Sequence, residues 1–402
     1  MRYGLLILLL VLSSCNSQKS IDNLMIPVLN IAEDNYPTRK IDIHDIADVE
    51  YIALESSDST LIGKWYIYIS DKYVVTSDGT SGGNIYFFNL SGKLLWKYNK
   101  RGSGPGEFSY LGLDIVDFDE EECYINDINK KMLYVYSFKG DYKYTISLQG
   151  LGKDLDSFAD FSVLNYNKNY LLGYDFGAVL FNRELPDRPP YFLINKHDGS
   201  RHPLDLKIRN GLTNQIYDGK GEYMGALSHS SLLQNGNECW ITELSSDTIF
   251  SLVNKKLVPV AVQNPSVHST TSPLAIFPSG FNDYFFVFDS APLSADDRYP
   301  NMPKNSRTLV WNRLTNQLEQ WELYNSDIIS PHNLNIPVMA NATTMKNCGM
   351  LYYDPEWLIN CSKKGILKNE LAELAPKLRE DDNNIIVLVK YNKEKIWKFL
   401  AE

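Results

Sequence analysis

The stretch that decides the fold is residues 99–138, NKRGSGPGEFSYLGLDIVDFDEEECYINDINKKMLYVYSF. It contains a Gly/Pro-rich turn, a strand-like run, a carboxylate-bearing turn and further strand-like runs. Other parts of the chain repeat this order with different residues. The sequence therefore predicts a repeated β unit, and the search for a period comes before any search for a site.

A short apolar run that ends at or near a carboxylate recurs along the chain. The copies are 73–78, 124–127, 170–175, 240–243, 284–289 and 350–354. The starts are about 55 residues apart, the length of a four-stranded propeller blade with its loops. A strand, a turn and usually another strand follow each copy. The pattern predicts an all-β fold over residues 49–402, a six-bladed β-propeller of four-stranded antiparallel blades.

The two ends of a propeller must meet to close the ring. Residues 49–54, VEYIAL, form a strand-like run before the first blade, and we expect them to pair with residues 385–391 of the last blade. Residues 365–378 break the β pattern, because their leucines recur at helical spacing. They predict a helical insertion in the last blade, which Pro376 should kink or end early.

The N-terminus has the features of an export signal. An apolar run over residues 5–12 follows Arg2 and is too short to span a bilayer. Leu12-Ser13-Ser14-Cys15 resembles the bacterial lipobox. That resemblance implies a signal peptide over 1–14 and a lipid on Cys15, although a plain secretory signal before an ordinary Cys stays open.

The residues after Cys15 predict how the protein would be attached. Residues 15–48 are mostly polar and predict a tether between lipid and propeller. The residues that directly follow Cys15 lack an acidic cluster, which favours the periplasmic side of the outer membrane over surface export.

Charge and cysteine content narrow the function classes. The formal net charge of −10 leaves no basic excess for a nucleic-acid backbone. No cysteine spacing fits a zinc site, and no metal or cofactor is expected. Cys123 and Cys239 occupy equivalent points of non-adjacent blades and should be free and buried. Cys348 and Cys361 flank one strand and turn and could pair.

One blade carries a family resemblance. Residues 102–140 resemble an NHL repeat in GPGEF at 104–108, LDIVD at 113–117, YIND at 124–127 and LYVY at 133–136. Over about residues 49–391 the chain is similar to the six-bladed β-propeller lipoproteins of the Bacteroidota, except for Asn384 where that family has Pro. The resemblance implies fold and cell-envelope location, and it implies no particular ligand.

No motif points to catalysis. The chain has no Gly-x-Ser-x-Gly elbow and no set of residues marked as a Ser/His/Asp or Cys/His site. The Gly-rich turn at 101–107 lacks Gly-Lys-Ser/Thr and has no helix pattern after it, so we interpret it as an inter-blade turn rather than a phosphate loop. Arg101 and Glu107 could still line one mouth of the channel.

Uneven loop lengths give the better functional signal. The loops between second and third strands share one face with the inter-blade loops, and three are long, at 175–190, 289–307 and 354–384. They carry the Arg and aromatic residues that dominate binding hot spots. The candidate ligand-binding residues are Arg101, Glu107, Arg183, Arg188, Arg298, Tyr299 and Trp357.

Three functions are compatible with these features. The first is a non-catalytic binding module for a glycan, peptide or protein partner, anchored to the membrane through the N-terminal lipid. The second is a metal-dependent lactonase- or lyase-like enzyme with a ring of blade-end carboxylates from Asp78, Asp127, Asp175, Glu243, Asp289 and Asp354. The third is a structural subunit of an envelope complex.

Overall fold

The computed structural model describes residues 26–401 apart from several short stretches. These are 58–59, 61, 63–66, 150–160, 176–188, 207, 209–210, 213, 218–222, 270–273, 294–305 and 330–344. All statements below refer to the described residues.

The strands, in chain order, are β1 (Val28–Asn30), β2 (Thr38–Asp42), β3 (Ala47–Ala53), β4 (Ile67–Ile69), β5 (Tyr73–Ser77), β6 (Asn84–Asn89), β7 (Leu94–Asn99), β8 (Leu113–Asp117), β9 (Glu122–Asp127), β10 (Met132–Ser137), β11 (Tyr142–Ser147), β12 (Phe161–Asn167), β13 (Tyr170–Asp175), β14 (Tyr191–Asn195), β15 (Arg201–Pro203), β16 (Gln215–Tyr217), β17 (Tyr223–Ala226), β18 (Leu232–Asn235), β19 (Glu238–Ile241), β20 (Thr248–Val253), β21 (Lys256–Asn264), β22 (Leu274–Phe281), β23 (Phe285–Pro292), β24 (Arg307–Asn312), β25 (Gln317–Tyr324), β26 (Cys348–Tyr353) and β27 (Ile385–Tyr391). The helices are α1 (Ile43–Ile46), α2 (Gly79–Gly82), α3 (Pro355–Lys363), α4 (Asn369–Leu374) and α5 (Lys393–Ala401), with a 3-10 turn at Ala375–Lys377.

The strands form the six blades of a β-propeller, as predicted. From the centre outwards the blades are β4–β7, β8–β11, β12–β15, β18–β21, β22–β25 and, in the described part of the sixth, β26, β27 and β3. The pairing within each blade is antiparallel. In blades 1 to 5 the predicted apolar run falls on the second strand, and in blade 6 it falls on β26. The hairpin β16–β17 lies between blades 3 and 4 in chain order.

The blades pack on one another through apolar faces. A separate cluster of buried side chains fills each junction around the ring, from blades 1 and 2 to blades 6 and 1. Aromatic residues dominate several of them. At the junction of blades 4 and 5, for example, Trp240 stacks on Phe281 with ring centroids 4.0 Å apart. This arrangement explains why single units cannot be stable alone and why the ring must close.

The chain ends close the ring in the predicted way. β3 pairs antiparallel with β27, with Ala53 opposite Ile385 and Ala47 opposite Tyr391. β3 is thus the outermost strand of the last blade. The pairing also places Ile52 beside blade 1 residues such as Ile67 and Phe88 in the buried cluster between blades 6 and 1.

The prediction of a tether over residues 15–48 is wrong for residues 26–48. β1 adds a parallel fifth strand to β21 of blade 4, and β2 adds one to β25 of blade 5. Short apolar runs cause this, because Leu29, Ile31 and Ile41 are all at most 2% exposed. We call residues 26–46 the N-terminal strap. Residues 15–25 and the lipobox lie outside the described residues.

The helical insertion in the last blade is confirmed, but its bounds differ from those predicted. Within 365–378 only α4 and the 3-10 turn are helical. Gly365, with a φ of 67°, follows the C-terminal end of α3 and separates that helix from α4. The sequence analysis missed α3, which Asp354 caps by accepting from the backbone N–H of Trp357 at 3.0 Å. It also missed α5, which buries Ile396 against blades 5 and 6.

The four cysteines after Cys15 form no disulfide among the described residues. Cys123 and Cys239 are free and buried, as predicted, and burial raises the pKa of each thiol to about 12. Cys348 and Cys361 do not pair. Within the described ranges no helix has both the length and the apolar content that a membrane crossing requires.

Candidate ligand-binding face

One face of the propeller carries the loops between second and third strands together with the connections between blades. We call it the loop-rich face. At the junction of blades 3 and 4, five polar residues meet where strands end or begin on this face. We call them the mouth cluster, and they are Tyr174, Tyr191, His229, Ser231 and Glu243.

Glu243 lies two residues after the end of β19, the second strand of blade 4, and is 3% exposed. The hydroxyl of Tyr191 donates to its Oε2 at 2.7 Å, and the backbone N–H of Ser245 donates to its Oε1 at 3.0 Å. Burial nevertheless raises the pKa of the Glu243 carboxyl above its ordinary value. Within the cluster, this carboxylate is therefore the group on which the hydrogen bonds converge.

The two tyrosines of the mouth cluster form its floor. Tyr174 stacks on Tyr191 with ring centroids 4.7 Å apart and planes at 24°. Both rings are buried, which raises the pKa of both hydroxyls and keeps them protonated. The nearby Ser231 side chain opposes part of the rise in the pKa of each tyrosine. The hydrogen bond from Tyr191 to Glu243 and the stack of the two rings therefore hold these three side chains together.

His229 lies next to Ser231 at the other side of the mouth cluster. Its Nδ1 lies 3.2 Å from Oγ of Ser231, and its ring meets the ring of Phe277 edge to face at 5.9 Å. Burial lowers the pKa of the imidazole to about 4, so the ring is neutral at physiological pH. Its Nε2 is buried and has no hydrogen-bond partner in the described part of the chain.

A half-buried carboxylate with a raised pKa lies on the innermost strand of blade 2. Asp114 accepts a hydrogen bond from Nδ2 of Asn126 at 2.8 Å. Burial raises the pKa of its carboxyl to about 6. No cation contributes to this shift, so Asp114 differs from the ordinary surface carboxylates of the chain.

The Gly-rich turn at 101–107 is an inter-blade connection, as interpreted from sequence. Glu107 accepts from the backbone N–H of Gly104 at 2.7 Å, so its carboxylate holds its own loop together. Gly106 has a φ of 72°, and a Cβ there would lie 3.0 Å from the Tyr142 ring. Arg101 is exposed, and its backbone N–H donates to Oδ1 of Asn99 at 2.9 Å.

The remaining candidate residues divide into two groups. Trp357 is described: it lies half-buried on α3, with its ring 5.4 Å from that of Tyr353 in blade 6. The other four fall outside the described residues, namely Arg183, Arg188, Arg298 and Tyr299. None of the three described candidates, Arg101, Glu107 and Trp357, belongs to the mouth cluster.

The predicted carboxylate ring consists mostly of groups with local structural partners. Single contacts illustrate this: Asn84 N–H donates to Asp78 at 2.8 Å, Ser109 N–H to Asp127 at 2.6 Å, Thr308 Oγ1 to Asp289 at 2.6 Å and Trp357 N–H to Asp354 at 3.0 Å. Across the described residues, no three His, Cys, Asp or Glu side chains group in a way that could hold a metal ion. The contacts fit strand-end and turn hydrogen bonding.

Sequence reasoning found one member of the mouth cluster and missed the rest. Glu243 was singled out because it ends a repeated apolar run. Tyr174 and Tyr191 look like ordinary strand residues, and His229 has no metal-site spacing. His229 and Ser231 lie in a short His-x-Ser segment before the first strand of blade 4. Nothing in the sequence distinguishes that segment from an ordinary polar connection.

Comparison with known proteins supports the fold and leaves the activity open. Residues 26–390 match the model of a family described as a domain of unknown function. A Bacteroides fragilis protein, named as a candidate exported protein, has a similar structure, with a TM-score of 0.58 at 15% identity. That similarity covers 92% of this chain and 100% of the other.

A second solved structure is less similar. A member of the duf4221 family from Bacteroides vulgatus has a TM-score of 0.43 at 11% identity, over 74% of this chain and 96% of that chain. No curated protein matches the chain.

Proposed function

Because this chain belongs to the DUF4934 family, whose function is undefined, we propose a role from the site itself. The protein is an exported, lipid-anchored β-propeller of the cell envelope that acts as a non-catalytic binding module. Its loop-rich face holds a glycan, a peptide or a partner protein. The blades follow the NHL-repeat pattern, and Cys15 carries the lipid on the periplasmic side of the outer membrane.

One observation supports this function above the others. The mouth cluster leaves a buried nitrogen, Nε2 of His229, without a partner among the described residues. A buried polar atom without a partner costs about 1–3 kcal/mol, so proteins seldom keep one without a use. Tyr174 and Tyr191 stand on the two strands that flank the long loop at 175–190, so a ligand held by that loop would lie next to the cluster. The carboxylates that might instead form a metal ring have local partners.

The binding face can be tested by capture. The full chain would be screened on a glycan array and in pull-downs from envelope extracts, beside Arg298→Ala and Trp357→Ala. We expect capture to fall about tenfold in these loop-face variants, because hot-spot residues contribute at least one factor of ten each. Trp397→Ala is the matched control, since Trp397 is 49% exposed on α5 at the outer rim. Unchanged capture in both loop-face variants would show that the loop-rich face does not bind the ligand.

The lipid anchor needs a separate test. Mass spectrometry of the mature N-terminal peptide should find acyl chains on Cys15, and Cys15→Ser should release the protein from the membrane fraction. A mature N-terminus without lipid, or membrane retention unchanged by Cys15→Ser, would contradict the anchor and leave the binding face untouched.

A further inference from the structure

We propose that Lys196 of blade 3 and Asp117 of blade 2 condense to an amide, an isopeptide cross-link between the two blades. In the structure the two side chains form an ion pair, with Nζ of Lys196 2.8 Å from Oδ2 of Asp117. Asp117 ends β8 and Lys196 directly follows β14, so both lie at hairpin turns opposite the loop-rich face. The cross-link therefore does not depend on the proposed binding function.

The pair is buried between the two blades. Both side chains are 3% exposed, and Nζ of Lys196 lies 5.2 Å from the centre of the Tyr124 ring. Phe192 and Ile194 belong to the apolar cluster that fills this junction. Keeping two ions in such surroundings costs free energy, whereas an amide is neutral. Burial therefore favours the condensed product over the ion pair.

The carboxyl group of Asp117 is held in a reactive orientation. Its Oδ1 accepts hydrogen bonds from the backbone N–H groups of Asp119 and Glu120, each at 3.1 Å. Attack of an amine on Cγ places negative charge on one carboxyl oxygen, and two backbone donors at this distance stabilise such an oxyanion. Oδ2 faces Nζ of Lys196 instead. Oδ1 is therefore the stabilised oxygen, and Oδ2 is the oxygen that leaves.

The reaction needs nothing beyond the two side chains. One proton moves from the ammonium of Lys196 to Oδ2 of Asp117 across their hydrogen bond, which gives an amine and a carboxylic acid. The Nζ lone pair then forms a bond to Cγ. A second proton passes from Nζ to Oδ2, the bond between Cγ and Oδ2 breaks, and Oδ2 leaves as water. The ammonium and the carboxylate contain every atom of the amide and the water.

The surroundings of the pair assist these steps. Glu122 lies directly opposite Asp117 in the pairing of β8 with β9, so the two side chains share a face and the Glu122 carboxylate is placed to carry the second proton. Fixed neighbours of this kind react with effective concentrations of up to about 10⁵–10⁸ M. Lys196 also lines a cleft of about 620 Å³ beside β11, through which the water can leave.

Peptide mass spectrometry tests the cross-link on the full wild-type chain. A tryptic digest should contain a branched peptide that joins Lys196 to the segment around Asp117, lighter by one water than its two parts, and no cleavage after Lys196. The pair between Lys346 and Asp283 is an internal control. It has the same distance, 2.8 Å, but its side chains are 58% and 35% exposed, and it should stay unlinked.

A variant separates this bond from other losses of water. Lys196→Arg keeps the positive charge but cannot form the amide, so its intact mass should show no missing water. Glu122→Gln should lower the linked fraction several-fold, because the proton carrier is lost. Lys196→Met and the same variant with Asp117→Asn both lack the bond, so any difference in stability between those two comes from the buried charge alone.

Three results would overturn the proposal. The first is a wild-type digest in which the peptides of Lys196 and Asp117 are recovered in full and unlinked. The second is a missing water that persists in Lys196→Arg, which would place the loss elsewhere in the chain. The third is equal linking of Lys346 to Asp283, which would mean that burial and carboxyl orientation do not select the pair.

Discussion

The two halves of the ring are finished differently at their outer edges. In blades 4 and 5 the N-terminal strap adds a parallel strand to the outer edge of each blade. In blade 6 the outermost strand is β3, which directly follows the strap in the chain. Blades 1, 2 and 3 end at β7, β11 and β15, which have no further strand among the described residues. We call these the strapped half and the bare half.

The strapped half is held by apolar burial. Ile41, Ile43 and Ile46 of the strap join the buried cluster of blades 5 and 6, which also takes in Leu358 of α3 and Ile396 of α5. The strap leads directly into β3, so the segment that closes the ring is continuous with the segment that covers its two neighbouring blades. Opening the closure would expose apolar surface from three blades at once.

In the bare half a buried ion pair adds to the apolar packing between blades 2 and 3. Nζ of Lys196 in blade 3 lies 2.8 Å from Oδ2 of Asp117 in blade 2, and both side chains are 3% exposed. Lys196 also lies over the ring of Tyr124, whose hydroxyl donates to Oε2 of Glu122 at 2.6 Å. The comparison teaches that neighbouring blades can be fixed either by an outer strand or by a specific inter-blade ion pair.

The largest expected effect is in the bare half. Lys196→Met would leave the Asp117 carboxylate buried and without its cation, which costs about 3–5 kcal/mol. Urea denaturation followed by tyrosine and tryptophan fluorescence would measure the loss. Lys196→Met with Asp117→Asn removes the uncompensated charge and should recover much of the stability. Equal destabilisation in the single and double variants would show that the charge pair is not what fixes blades 2 and 3.

The next effect is in the strapped half. Ile41 is completely buried, and Ile41→Ala should destabilise the ring by about 2–4 kcal/mol through lost burial and a residual cavity. The matched control is Leu95→Ala on β7, where the leucine is 42% exposed and we expect a change within about 0.5 kcal/mol. The same denaturation experiment applies. Similar midpoints for the two variants would contradict a strap that stabilises the fold.

The smallest effect is pH-dependent and belongs to blade 2. The pKa of Asp114 is raised to about 6 from an ordinary 3.8, so the native state binds this proton more tightly than the unfolded state. Its contribution to stability is therefore greatest at low pH and is lost as the pH rises from about 4 to about 6. Asp114→Asn keeps the hydrogen bond from Asn126 and should raise stability above pH 6 by about 1–2 kcal/mol.

The pH profile provides the control for that prediction. The advantage of Asp114→Asn over wild type should grow between pH 4 and 6 and then level off, whereas Glu120→Gln, at an exposed position, should run parallel to wild type. An advantage that is constant with pH would mean that Asp114 is not the titrating group.

The sequence predicted the repeated units well and the unrepeated segments poorly. Second strands such as β9 and β13 are apolar, recur at one period and end at a carboxylate. Counting these runs predicted the number of blades, and their regular spacing predicted that the blades form a ring. The closing strand β3 was found because a propeller needs one. β1 has three residues and pairs in parallel, and nothing in so short a run distinguishes it from a polar linker.

The site was predicted less well because its side chains come from distant parts of the sequence and meet only in the folded chain. Glu243, Tyr191 and His229 come from different strands and connections, and their contacts follow from how blades 3 and 4 meet. Side-chain type alone favoured Arg and aromatic residues on the long loops. Sequence also cannot show that Glu107 turns back on its own loop or that Nε2 of His229 is buried without a described partner.

Hydrogen exchange of the full chain, followed by mass spectrometry, tests most directly whether the N-terminal segment is built into the propeller. If the strap belongs to the fold, the strand amides of Val28–Asn30 and Thr38–Asp42 will exchange as slowly as those of β21 and β25, with which these two strands pair. Exchange of that segment within seconds, while β21 and β25 stay protected, would show that it is a tether and that the ring closes without it.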